Sequence, residues 1–207
     1  MSQIHIFGDS HGIINFKNIK YNNVINHATP SITMHRVGRD KLEYINFKSH
    51  NINDNDIVIY QFGEVDCRCH IGKQLLLNRT LYDIITELIN NYIESIKINI
   101  KNYNKITMII CSIPPTMCQN YFENIHGPIT HEFPFIGTDD QRGKYTLLMN
   151  EQLKKECINN NFIFLDYYDY YKSSDNLLKI ELSDSICHIN DNNHILNILY
   201  SIIDNIN

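Results

Sequence analysis

The 207-residue chain predicts an α/β fold, a three-layer α/β/α arrangement around a mostly parallel five-stranded sheet. Short, β-rich, nearly continuous apolar runs recur along it, as strands buried on both faces require. Stretches with apolar residues at helical spacing separate several of those runs. No Gly/Ser/Pro linker, low-complexity block or internal repeat interrupts the pattern, so one domain over 1–207 is expected.

Residues 4–7 predict a first strand ending at Gly8. Residues 31–37 predict a second, ending at Gly38, and 57–62 a third, ending at Gly63. A fourth, over 107–113, is stopped by Pro114-Pro115, which cannot continue a central strand. The fifth, over 162–165, ends at Asp166. A broad stripe containing Ile84, Leu88, Tyr92 and Ile96 predicts a helix over 81–100. Further helices are expected over 145–157 and from about 194 to 206, the last with Asp191 near its start as a cap. Residues 116–141, containing His126, His131 and Phe133-Pro134-Phe135, show little regular pattern and read as an irregular insertion of the kind that forms binding loops.

Composition narrows the function. The chain is 43% hydrophobic and 20% charged, with a net charge of −5 from 18 Lys+Arg against 23 Asp+Glu. A protein built on phosphate contacts is normally basic, so a nucleic-acid partner is disfavoured. No apolar run approaches the roughly 18 to 20 residues of a membrane span, and the first residues do not read as a secretory signal. A cytoplasmic chain without a membrane partner is therefore expected, and its six cysteines read as reduced thiols rather than disulfides. Cys67-Arg68-Cys69-His70 suggests a zinc corner, but Cys111 and Cys118 are too widely spaced to supply the second close pair. No metal and no cofactor are expected, and the oligomeric state is not legible.

In open parallel sheets ligands bind outside the carboxyl ends of the strands, so polar residues there invite a functional reading. Gly8-Asp9-Ser10-His11-Gly12 follows the first strand and matches G-x-S-x-G, a turn that exposes a serine at the start of a helix. Only one strand precedes it, which excludes the α/β-hydrolase arrangement. A serine nucleophile needs an imidazole base, and the base needs a carboxylate to hold its tautomer. The loop before the last helix offers two such pairs, Asp184 with His188 and Asp191 with His194. Asp184 and His188 are preferred, because His194 falls in the first turn of that helix with Asp191 as its cap. Glu64, Asp66 and Arg68 follow the third strand, where they read either as substrate contacts or as a carboxylate–guanidinium cluster holding loops together. Tyr167, Tyr168, Tyr170 and Tyr171 follow the fifth, partly as core and partly as candidates for stacking on a sugar ring.

Taken in order, these pieces resemble the SGNH/GDSL hydrolase superfamily, whose flavodoxin-like sheet carries four short sequence blocks. Gly8-Asp9-Ser10 resembles the first, and the resemblance implies Ser10 as nucleophile. Gly38 resembles the glycine of the second, implying that its N–H joins that of Ser10 in an oxyanion hole. Gly63-Glu64-Val65-Asp66 resembles the third, usually G-x-N-D, with Val65 where the family has a donor asparagine. Loss of one such donor typically costs about 2.7–4 kcal/mol of transition-state stabilisation, and Arg68 is the candidate substitute. The segment ending at His188 resembles the last block, usually D-x-x-H, although Asp184 stands one position further back than that spacing.

The implied activity is a serine esterase that removes acyl groups from a carbohydrate or a small ester, with Asp9, His11, Glu64, Asp66 and Arg68 around the substrate. Three other functions fit parts of the same pattern. An acetyltransferase would use the same triad with a sugar hydroxyl as acceptor. A metal-dependent phosphoesterase would use Asp9, His11, Glu64 and Asp66 as ligands, but the G-N-H-E/D and G-H-x-H blocks it needs are missing. A degenerate domain of this kind would bind a glycan without catalysis.

Overall fold

The computed structural model of the chain describes residues 2–130 and 132–206; Met1, His131 and Asn207 lie outside them. Five strands, β1 (Ile4–Gly8), β2 (Val24–Asn26), β3 (Ile57–Gln61), β4 (Thr107–Cys111) and β5 (Ile163–Leu165), form one parallel sheet in the order β2-β1-β3-β4-β5. Strand order reverses at β1, whose carboxyl end therefore lies at the crevice where open α/β sheets place their ligands.

The strands alternate their side chains between two apolar layers. Ile57 and Ile59 face one layer with Ile4, Ile6, Ile109, Leu199 and Ile203. Val58 and Tyr60 face the other with Phe7, Ile89, Tyr92, Ile110 and Leu153. That second face is covered by α4 (Leu81–Ile100) and α6 (Asp139–Asn159). Thr80 caps α4 by accepting from the Asp83 N–H at 3.2 Å, and Thr138 and Gln141 form a reciprocal capping box on α6. The first face is covered largely by α8 (Asn193–Ile206), which buries Ile195, Leu196, Leu199 and Ile203, and two short helices, α3 (Ile71–Leu75) and α7 (Tyr168–Tyr171), follow β3 and β5. No helix among the described residues is long and apolar enough to cross a membrane.

The expected second strand is a correction. Residues 34–40 form a helix, α2 (Met34–Asp40), and the sheet edge is supplied instead by β2, three residues long and partly exposed. Thr33 caps α2 by accepting from the Arg36 N–H at 3.0 Å, and the buried Asp66 carboxylate accepts from the Met34 and His35 N–H groups at 2.7 and 3.1 Å. With those amides satisfied and Met34 and Val37 turned inward three residues apart, the helix outcompetes the strand.

The stretch expected to be irregular, 116–141, contains α5 (Gln119–His126) and the first residues of α6, leaving the described residues between 127 and 138 without regular structure. This segment is fastened to the strand ends. Arg68 donates to the Phe133 carbonyl, the Ile136 N–H donates to the Arg68 carbonyl at 3.0 Å, and the Arg68 and Arg142 guanidiniums face the Phe135 ring at 5.6 and 4.9 Å. The six cysteines are free, and Cys67, Cys69, Cys111 and Cys157 are buried in the core.

Candidate active site

The serine is placed by the turn from β1 into α1 (Ser10–Ile14). A Cβ on Gly8 would lie 2.8 Å from both the Gln61 carbonyl oxygen and the Gly12 Cα, so only glycine lets the chain turn this tightly. Asp9 then caps α1 by accepting from the His11 N–H at 2.8 Å. Ser10, as the first helical residue, carries an N–H with no partner inside the helix.

The histidine comes from a loop closed by an antiparallel bridge between Ser183 and Ile189. Within it the Asp184 N–H donates to the His188 carbonyl at 3.0 Å. One Asp184 oxygen, Oδ1, accepts from the N–H groups of Ile186, Cys187 and His188 at 2.8, 3.1 and 3.0 Å. The chain meets this demand by placing Ser185 at φ 67°, and His126 of α5 braces it through the Ser185 carbonyl at 3.1 Å.

The two segments converge although they are 178 residues apart in sequence. His188 Nε2 lies 2.9 Å from Ser10 Oγ, and His188 Nδ1 lies 2.7 Å from Asp184 Oδ2. The carboxylate fixes the tautomer with the proton on Nδ1, which leaves Nε2 to accept from the serine hydroxyl. Burial pushes the His188 pKa down, but the bonds to Cys187 and Asp184 outweigh it and leave it above the ordinary imidazole value. Burial likewise pushes Asp184 up, and the His188 ring and the loop amides reverse this and hold it below the usual carboxylate range. Ser10 and His188 are half-buried, so a substrate reaches them from solvent. The rival pair is engaged elsewhere: Asp191 accepts from the Asn193 N–H at 3.0 Å, and His194 stacks on Tyr170 at 3.9 Å.

Gly38, expected as the second oxyanion donor, is a helical residue. It lies inside α2, where its N–H belongs to the helix, and a Cβ there would meet the α4 backbone at Asn91 and Tyr92 at 2.9 Å. The second-block resemblance therefore falls on a packing glycine. Val65 is buried and apolar. The expected substitute, Arg68, is committed to Glu64, with Nε 2.9 and 3.2 Å from its two oxygens, and to the Phe133 carbonyl.

The remaining predicted residues serve mostly as scaffold. Asp9 caps α1 and is pushed up to about 6 by burial, with its second oxygen buried and without a partner. Asp66 caps α2 and burial pushes it up to about 7. Burial also opposes the charge on Glu64, but the Arg68 guanidinium and His11 overcome it and hold Glu64 down at about 2. His11 Nε2 lies 3.8 Å from Glu64 Oε2, and the His11 ring centre lies 4.9 Å from that of His188. With Asp9, Asp66 and Glu64 committed to two helix caps and a guanidinium, the four groups of the phosphoesterase reading do not form a pair of metal sites.

Sequence reasoning missed three features. Cys187 brings its Sγ within 3.6 Å of His188 Nε2, and its place beside the histidine in sequence was the available signal. A buried network links Tyr167 to Gln61 at 2.7 Å and Asn15 to both, so Tyr167 is a support and not a sugar platform. Tyr168 and Tyr171 are also buried, which leaves Tyr170 as the exposed tyrosine of that group. A cleft of about 420 Å³, lined by Gly8, His27, Thr29, Arg36, His50 and Phe62 among others, opens at the carboxyl ends of β1 and β3.

No family model and no curated protein matches the chain. Solved structures do match, at low identity and over nearly its whole length. A GDSL-like lipase from Bacteroides thetaiotaomicron is 17% identical, with 99% of this chain and 86% of that chain covered and a TM-score of 0.61. A member of the lipolytic protein G-D-S-L family from Veillonella parvula is 15% identical, with 99% and 97% covered and a TM-score of 0.54. The OSK domain of Drosophila Oskar is 10% identical, with 95% and 86% covered and a TM-score of 0.56. Together with the parallel five-stranded sheet and the serine at the end of its first strand, these matches show that the chain has the fold of the SGNH/GDSL hydrolase superfamily.

Proposed function

We propose that the protein is a serine ester hydrolase of SGNH type, removing an acyl group from a carbohydrate or a small ester. The observation that carries this reading is the continuous relay from Ser10 Oγ to His188 Nε2 (2.9 Å) and from His188 Nδ1 to Asp184 Oδ2 (2.7 Å). Ser10 Oγ attacks the ester carbonyl while His188 takes its proton, and Asp184 stabilises the imidazolium that forms. The Ser10 N–H at the start of α1 is the donor available to the developing oxyanion. His188 returns its proton to the departing alcohol, and water, activated by the same nitrogen, releases the acyl group. The acylhydrolase and lipase neighbours of the fold support ester hydrolysis, and the carbohydrate preference is carried over from the family resemblance by analogy.

Fluorophosphonate labelling tests the reading. The wild-type chain is expected to label on Ser10, chelator is expected not to diminish the labelling, and Ser10→Ala is expected to abolish it. A folded wild-type chain that takes up no probe overturns the proposal.

A further inference from the structure

The ester mechanism leaves a cluster of donors beside its base unused. His11 is 1% exposed, neither of its ring nitrogens is within hydrogen-bond distance of a partner among the described residues, and the charge nearest them is the Glu64 carboxylate. A buried imidazole without a partner is costly to keep unless something else satisfies it. One ligand atom from each of His11, Cys187 and His188 lies within 4.8 Å of the others, and Cys187 Sγ is already 3.6 Å from His188 Nε2. Tetrahedral zinc, with bonds of about 2.0–2.3 Å, spaces its ligand atoms at about 3.3–3.7 Å, so closing the set needs a movement of about an ångström. The Glu64 carboxylate, 3.8 Å from His11 Nε2, lies where an acidic partner steadies a ligating histidine.

We propose that His11, Cys187 and His188 form an inhibitory site for a thiophilic divalent cation such as Zn²⁺. Two imidazoles and a thiolate are a donor set for such an ion, with a fourth position left to water. On binding, the Cys187 thiol and any protonated ring of His11 or His188 release their protons to solvent, and the sulfur and the freed ring nitrogens bond the metal. The lone pair of His188 Nε2 goes to the cation, and the hydrogen bond from Ser10 Oγ is lost. The nitrogen that would accept the serine proton is then occupied. Binding stands on the geometry alone, whereas its inhibitory effect rests on the ester-hydrolase reading.

Co²⁺ added to chelator-treated protein separates the two. The wild-type chain and Ser10→Ala are both expected to bind one equivalent with a near-ultraviolet thiolate-to-cobalt band that Zn²⁺ abolishes, and folded Cys187→Ser is expected to lack the band. Saturating Zn²⁺ should lower wild-type ester hydrolysis by about 10²-fold or more, the contribution of a general base, with recovery on adding chelator. Cys187→Ser, scored against its own metal-free rate, should lose less than about twofold on the same scale. On the wild-type chain alone, Zn²⁺ should protect Cys187 from iodoacetamide, read by mass spectrometry of its peptide. No cobalt band in the wild type, an undiminished band in folded Cys187→Ser, or full alkylation of Cys187 at saturating Zn²⁺ overturns the cation site. A cobalt band in a chain that hydrolyses no ester supports the cation site and removes the hydrolase reading instead.

Discussion

His188 is held at both ends of its ring, by a carboxylate at Nδ1 and a hydroxyl at Nε2, and its reactivity follows from that pair of bonds. A general base works only when neutral. Because burial is outweighed by the bonds to Cys187 and Asp184, the His188 pKa is raised, so kcat/KM should climb with pH through a midpoint above 6.5 and stay low beneath it. A pH–rate profile on a chromogenic ester checks the sign; a midpoint below 6.5 contradicts the assignment. The same raised value means that protonated His188 favours the fold fully below 6.5 and that this contribution fades as pH rises through the folded pKa. Asp184→Asn separates charge from shape. The Asn Oδ1 still accepts the three loop amides, so the melting temperature should change little, whereas kcat should fall by about 10³–10⁴ through loss of the correct tautomer.

At the scale of elements, α2 decides how Gly38 is understood. Alanine there has a helix propensity better by about 1 kcal/mol, but its Cβ would press on the α4 backbone at 2.9 Å. Overpacking of that kind costs about 1–3 kcal/mol, so Gly38→Ala should lower the urea midpoint while leaving turnover per folded molecule unchanged. A large loss of turnover in a fully folded Gly38→Ala chain would return the glycine to the oxyanion hole. The element also shows where sequence reading fell short. Residues 57–61, 81–100 and 107–111 were legible because long apolar runs and stripes announce buried strands and helices. The edge strand was not, since Val24–Asn26 is too short and too exposed to carry a pattern. Residues 31–37 misled because the alternation of Ile32 and Met34 resembles a strand, while the carboxylate that caps the helix instead, Asp66, is 32 residues away.

Across the whole molecule, the site is assembled from the first turn after β1 and the last loop before α8, and α8 closes one face of the sheet. Ile195, Leu196, Leu199 and Ile203 are buried there. Burial of each contributes about 1.5–3 kcal/mol. Their sum is comparable to the roughly 5–15 kcal/mol that stabilises a domain. A chain ending at Asn192 should therefore show no cooperative unfolding transition by circular dichroism, and one that unfolds cooperatively at the full-length midpoint would contradict this role. Asn192 itself reaches the carbonyls of Ile14, Asn15 and Lys17 at 3.3, 3.1 and 2.8 Å, joining the end of α1 to the start of α8. That Ser10, His188 and Asp184 come together could be expected in advance, because the hydroxyl stands at a strand end and the other two stand in the loop before the last helix, where His194 is taken up by the helix itself. The grouping of His11 with Cys187 and His188 could not, because it lies only in the distances between their ligand atoms.

The bridged loop from Ser183 to Ile189 has one more consequence. Acid and base are four residues apart and are tied to each other by bonds that begin and end within the same short hairpin, whereas the hydroxyl arrives from the opposite end of the polypeptide. Folding therefore does not have to recruit three partners independently; it has to seat one prefabricated hook against one knuckle of chain. A displacement of this hairpin from the turn after β1 would therefore break the contact between His188 and Ser10 and leave the contact between His188 and Asp184 in place.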